Sequence, residues 1–177
     1  MIKKGKFLIV FFVLTIFSTS LFAQSSASLD EPVLISILKG LSMTKVGGDL
    51  DFGEYVITNN AQTITKTPDA GVNFEVTGFP GRAVTVTYAN VTMDNNAWVA
   101  ANGGTNGNLT FVPNVESTGG NNTYSGAANV ISGGSVNLSN DGSGLGKLYL
   151  WVGGSIDVAT TTEQGDYTGT FTLTVAY

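Results

Sequence analysis

The 177-residue chain contains no cysteine and no histidine. Without cysteine there is no disulfide, no thiol nucleophile, no iron–sulfur cluster and no thiolate zinc site. Without histidine the commonest general base and the commonest neutral metal ligand are gone as well. Cohesion must therefore come from apolar burial and backbone hydrogen bonds. Basic residues are also scarce, with 8 Lys and Arg against 13 Asp and Glu and a net charge of −5. Affinity for nucleic acid rests on clustered Lys and Arg, so nucleic acid is set aside as a partner. No stretch sustains the 3.6-residue apolar spacing of an amphipathic helix.

What is present begins with an address. The opening MIKKGKFLIVFFVLTIFSTSLFAQSS places Lys3, Lys4 and Lys6 before an apolar run at residues 7–17 and small or polar residues up to Ala23. This is the layout of a secretory signal peptide, expected to be cut between Ala23 and Gln24. Its apolar core is shorter than the ~20 residues that span a bilayer as a helix, and no second such run follows, so no membrane span is expected after its removal. The absence of cysteine near the cut argues against a lipid anchor. Residues 1–23 are thus read as a signal peptide and residues 24–177 as a single domain, with the net charge moving to about −8 as three lysines leave.

Residues 24–177 read as all-β. Short alternating runs separated by Gly and Asn clusters mark a sandwich or barrel. Strands are expected at residues 49–57 (DLDFGEYVI), 62–66 (QTITK) and 72–77 (VNFEVT), after a first apolar run at residues 33–41 (VLISILKGL). A Gly-Phe-Pro-Gly turn then suggests a hairpin between 72–77 and 82–93, with a parity switch near Ala89 and Asn90 read as a bulge. Residues 100–146 are Gly- and Asn-rich and read as turns and surface loops. Leu148, Leu150 and Val152 alternate before Gly153-Gly154, a pair suited to a two-residue hairpin loop. In the last segment, GDYTGTFTLTVAY, Tyr167, Phe171, Leu173, Val175 and Tyr177 share one face, as a strand closing the core requires.

Constellations that carry chemistry are few. Ser42-Met43-Thr44-Lys45 matches the S-x-x-K nucleophile motif, but that motif needs Ser and Lys on one helical face, and on a strand positions three apart point to opposite sides. Asp49 and Asp51 share strand parity, and residues 140–144 (NDGSG) resemble half of a calcium loop without its regular acidic spacing or closing Glu. Both read as solvated turns. Trp98 and Trp151 lie off the main apolar parity and are candidate stacking positions for a sugar ring. No catalytic residue, metal ligand or cofactor site is assigned.

Three stretches taken together carry a resemblance: LDFGEYVI at residues 50–57, FEVTGFPGRAVTVTY at 74–88, and LYLWVGGSIDV with QGDYTGTFTLTVAY at 148–177. They resemble the secreted bacterial family called domain of unknown function 4402 and, more distantly, spore coat protein U and chaperone–usher pilin domains. The resemblance implies an immunoglobulin-like, pilin-like antiparallel β-sandwich exported by a Gram-negative cell to the periplasm, the outer-membrane surface or the medium. It also implies a C-terminal core strand, with Gly165, Phe171, Leu173, Val175 and Tyr177 where that pattern puts them. Two features depart from pilins: there is no cysteine pair, and the tyrosine is last instead of penultimate.

The expected function is that of a non-catalytic structural or adhesive surface protein, a fibre subunit assembling by strand pairing. Its partner would be itself or a related subunit. The donor segment would be residues 28–39, where Val33, Ile35 and Ile37 alternate, although the same residues also read as the first strand of their own domain. The alternative is a carbohydrate-binding module whose Gly/Asn-rich loops and exposed Trp98 or Trp151 meet a surface glycan.

Overall fold

A computed structural model of the chain describes residue 35 and residues 40–177. The signal-peptide and cleavage positions Ala23 and Gln24, and the donor positions Val33 and Ile37, lie outside the described residues. Residues 40–177 lie in one compact unit. Its secondary structure is overwhelmingly β, in two antiparallel sheets that enclose one apolar core.

The larger sheet is organised around β10 (Gly146–Val158), a thirteen-residue strand. On one side its first half pairs with β3 (Val72–Gly78) and its second half with β2 (Gln62–Lys66). On the other side it pairs with β6 (Asn108–Gly119) and briefly with β9 (Ser139–Asn140). β1 (Ser42–Val46) extends the sheet beyond β3. β5 (Val91–Asp94) and the short β7 (Ala128–Asn129) extend it beyond β6. The smaller sheet has the order β11 (Thr174–Ala176), β4 (Ala83–Thr87), β8 (Gly134–Asn137). Between β2 and β3 lies a 3-10 turn, η1 (Pro68–Ala70), and between β5 and β6 a short helix, α1 (Asn96–Asn102).

Strand alternation decides the core. Leu148, Leu150 and Val152 of β10, Val72 and Val76 of β3 and Val115 of β6 face Val84 and Val86 of the smaller sheet, with Leu138, Val130 and Leu173 filling between. β10 is buried along nearly its whole length because it has a neighbour on both sides and a sheet above it.

Several expectations are corrected by this topology. β3 and β4 are not a hairpin. The turn at Phe79, Pro80 and Gly81 carries the chain from one sheet to the other, held by hydrogen bonds from Gly81 N to Leu138 O (2.7 Å) and from Leu138 N to Arg82 O (2.9 Å). The expected bulge near Ala89 and Asn90 is a second crossing of the same kind: β4 and β5 belong to different sheets, so the parity switch marks a corner. Gly153 and Gly154 are not a turn but the middle of β10. A Cβ on Gly153 would meet the backbone of Lys66, Thr67 and Pro68, and one on Gly154, whose φ is +154°, would meet the Phe111 ring. Glycine here permits close approach on both faces of a strand that continues.

The expected strand at 49–57 has no ladder partner among the described residues. An Asx turn, with Gly53 N donating to Asp51 Oδ1 at 2.8 Å and φ +78° at Gly53, breaks its alternation. Phe52 then turns inward, edge-on to Phe111 at 5.7 Å between centroids. The glycine-rich region contains α1 and the twelve-residue β6, neither of which local composition announced. The C-terminal alternation survives, with Leu173 buried and Tyr167, Phe171 and Val175 partly so, but only Thr174–Ala176 is paired as a strand. Tyr177 is 45% exposed, so the row ends at the rim of the core.

Replacing the wholly buried Leu150 with alanine is expected to cost about 2–5 kcal/mol in urea unfolding. Val112→Ala, on the solvent face of the neighbouring β6, should stay within about 0.5 kcal/mol of the parent. Equal losses would mean that the two faces of this sheet have been assigned wrongly.

Candidate functional site

Three features of the surface have chemistry of their own: an unpaired edge on each sheet, an apolar hollow and an aromatic patch.

The edges come first. Among the described residues β11 pairs with β4 alone, which puts the C-terminal strand at the rim of the smaller sheet. Upstream of it the chain bridges to the larger sheet through paired hydrogen bonds between Asp94 and Thr168 (3.0 and 2.9 Å). The stretch between Thr168 and Thr174 therefore crosses from one sheet to the other. Beside it opens a hollow of about 80 Å³ walled by Leu50, Phe52, Met93, Phe111 and Phe171. Tyr177 closes the row: its hydroxyl accepts a hydrogen bond from Phe79 N at 2.7 Å, and the Arg82 guanidinium lies 4.8 Å from its ring centroid. In the larger sheet β1 pairs, among the described residues, only with β3, and all five of its residues are exposed. Ile35, the described member of the donor trio, is 81% exposed.

The aromatic patch lies on the outer face of the larger sheet. Trp151 on β10 stands opposite Asn73 on β3 and Glu116 on β6. Tyr124, from the loop after β6, packs edge-on to it at 5.4 Å and 78°. A register shift opposite Tyr149 and Leu150 leaves Thr118 as the extra residue of β6. Thr118 Oγ1 accepts from the indole N–H of Trp151 at 3.0 Å. Tyr124 donates to Glu116 Oε2 at 2.5 Å, and Asn114 Nδ2 donates to Glu116 Oε1 at 3.3 Å. The Glu116 carboxylate holds the Tyr124 proton, with smaller contributions from burial and Asp69, so that its pKa is pushed up to about 12. Lys147 and Glu75, paired at 2.9 Å, flank the patch, and that pairing raises the Lys147 pKa.

Trp98 is elsewhere. It sits on α1 beside Gly165, whose φ of +147° and missing side chain admit the indole edge. The adjoining Asn95 is wholly buried, and its side chain bonds Thr105 O (3.2 Å), Gln164 O (2.9 Å) and Gly107 N (2.7 Å). It ties α1 to two loops. A polar residue in a polar stretch gave no sequence signal for this. Trp98 and Trp151 are not part of one site.

The remaining sequence candidates separate. Ser42 Oγ shares a 2.7 Å hydrogen bond with Thr77 Oγ1, while Lys45 Nζ donates to Asp49 Oδ1 at 2.5 Å, a contact that lowers the Asp49 pKa. The serine and lysine of the S-x-x-K match thus serve different neighbours. Asp51 and Asp49 do not converge. Asp141 accepts from Ser143 Oγ (2.6 Å), Ser143 N (2.9 Å) and Leu145 N (3.3 Å), which lowers its pKa and makes residues 140–144 a self-satisfied turn. Among the described residues no group of three or more acidic, His or Cys side chains gathers as a metal site would require. Also among the described residues, no helix is long and apolar enough to cross a membrane.

An antiparallel two-sheet protein with unpaired edges is the class this geometry defines. The family described as "Domain of unknown function (DUF4402)" matches residues 41–177, and the chain belongs to it. No curated protein matches the chain.

The folded-state pKa of Tyr124 lies above the ~10 of an unfolded tyrosine. Its hydrogen bond therefore contributes fully below pH ~10 and is lost as the pH rises towards 12. Burial also raises the pKa of Tyr88 and Tyr167, so ultraviolet absorbance titration should show several late tyrosines, of which Tyr124 alone returns towards ~10 in Glu116→Gln. An unchanged titration curve in that variant would separate Tyr124 from Glu116.

Proposed function

We propose that this protein is a secreted, non-catalytic structural or adhesive protein of the cell surface, a pilin-like fibre subunit that assembles by strand pairing. The observation that carries the reading is the edge of the C-terminal strand β11, unpaired among the described residues, and the apolar hollow that Gly169 and Phe171, just upstream of it, line with Val91, Met93 and Phe111 of the larger sheet. A strand added to such an edge gains a ladder of main-chain hydrogen bonds, and its alternate side chains enter the adjoining hollow. Residues 28–39 supply a segment of suitable pattern, with Val33, Ile35 and Ile37 on one parity, and the exposure of Ile35 leaves it available for a neighbour. The basic, apolar and small-residue order of residues 1–23 supports export, with cleavage between Ala23 and Gln24. An immunoglobulin-like arrangement of the sandwich accords with this role.

Size-exclusion chromatography of the exported chain at rising concentration tests the reading. Multimers that grow with concentration, and that disappear in the Ile35→Asp, Ile37→Asp double variant, are expected. A strictly monomeric and fully stable parent would overturn it.

The second reading, a carbohydrate-binding module, is favoured by one observation: Trp151 and Tyr124 are locked by hydrogen bonds on an outer sheet face beside Glu116 and Asn114. Rings held in place in this way offer stacking area at little entropic cost. Glycan-array binding that is lost in Trp151→Ala and retained in Trp98→Ala would establish it.

A further inference from the structure

The unpaired strands differ in how well their outer edges are guarded. The outer side of β2 is flanked by residues 51–58, because Lys66 Nζ reaches Asp51 O and Gln62 Nε2 donates to Thr58 Oγ1 at 2.8 Å. β8 has four residues and β11 three. β1 has five, without proline, glycine or bulge. Among the described residues nothing pairs with its outer side.

Edge strands of this kind are normally blunted by proline, bulges or an outlying lysine. β1 has one such lysine, Lys45, and its ammonium is paired on the surface with Asp49 four residues on. Met43 and Val46 add apolar surface, 39% and 43% exposed. Among the described residues, what remains is a short edge whose outer main-chain groups have no strand partner and whose one guard is Lys45.

We infer that β1 pairs antiparallel with β1 of a second copy of this chain, about a two-fold axis at Thr44, joining the larger sheets of two subunits into one. The register follows from overlap and charge. Centring on Thr44 alone engages all five strand residues: Ser42 lies opposite the partner's Val46, Met43 opposite the partner's Lys45, and Thr44 opposite itself. Threonine pairs are favourable across strands, and the lysine stem lies along the thioether. Centring on Lys45 sets two ammonium groups face to face, which is unfavourable. Centring on Met43 keeps only three strand residues in the ladder. A closed two-fold contact uses the same patch on both subunits and consumes the exposed edge completely. This pairing presupposes that the protein assembles through strand edges, and it specifies one edge and one partner. It leaves β11 free for a further strand. Five-residue contacts belong to the weak class, below the ~1,200 Å² of a standard interface, so the dimer depends on concentration.

Since the chain has no cysteine, Thr44→Cys introduces its only thiol. Mild oxidation of the exported chain should give a disulfide-linked dimer on a non-reducing gel, in clear excess over Thr63→Cys on exposed β2. Thr44→Lys places lysines opposite each other and should weaken dimerisation at least about tenfold by sedimentation equilibrium, with the circular-dichroism spectrum and Tm unchanged. Serine at the same position, as a milder variant, should retain the dimer. Equal cross-linking at positions 44 and 63, or a Thr44→Lys chain that dimerises as the parent does, overturns the β1 pairing. Persistent assembly in that case leaves strand acceptance at β11 standing. A parent that is monomeric up to about 1 mM overturns both.

Discussion

Everything in this molecule leans on the burial of β10. With no disulfide to restrain the unfolded chain, cohesion depends on a long strand with neighbours on both sides and a second sheet above its inner face. Leu148, Leu150 and Val152 are removed completely from water. Burial on that scale, at roughly 1.5–3 kcal/mol per large side chain, offsets the ordering of a chain rich in glycine. The same constraint explains Gly153 and Gly154, where η1 approaches one face and the Phe111 ring the other. Side chains there would push the covering elements away from the strand they protect.

From that central strand the sheet weakens outwards. β3 and β6 are half-buried partners, whereas β1 pairs with β3 alone among the described residues and is exposed throughout. The smaller sheet has three strands, and its C-terminal member is three residues long. Two sheets of unequal extent leave the inner face of the larger one incompletely covered, which is why Phe52 folds inward and a hollow persists beside Phe171. Unsatisfied main-chain groups and uncovered apolar surface thus occur at the rims and not in the middle. The proposed assembly through edges would add hydrogen bonds without disturbing the core.

The outer face of the larger sheet has a different logic. Tyr124, Trp151, Glu116 and Thr118 form a bonded group on the solvent side. An irregularity in β6 helps to place Thr118 under the indole. Its side-chain hydrogen bonds involve neither β1 nor β11, although Asn73, opposite Trp151, also stands opposite Val46 of β1.

Much of the all-β reading was available in the amino acids themselves. Alternation in 72–77 and in 148–152 put Val72, Val76, Leu148, Leu150 and Val152 on the core face, and the two-residue period of a strand leaves no other choice. The match of residues 41–177 bears out the resemblance to domain of unknown function 4402 carried by LDFGEYVI and FEVTGFPGRAVTVTY. Which strands pair was not available. Phe79 to Gly81 is a turn in the sequence, but whether it closes a hairpin or crosses to the other sheet depends on Leu138, more than fifty residues later. Gly153-Gly154 has the composition of a turn and became the centre of a strand, and residues 49–57 have the alternation of a strand and found no partner. The patch around Trp151 likewise needed β6 and its following loop brought alongside β10. Local sequence determined the face each side chain takes, because that follows from backbone period alone. Only the tertiary structure decided sheet membership, free edges and surface clusters, because those arise from contacts between residues far apart in the chain.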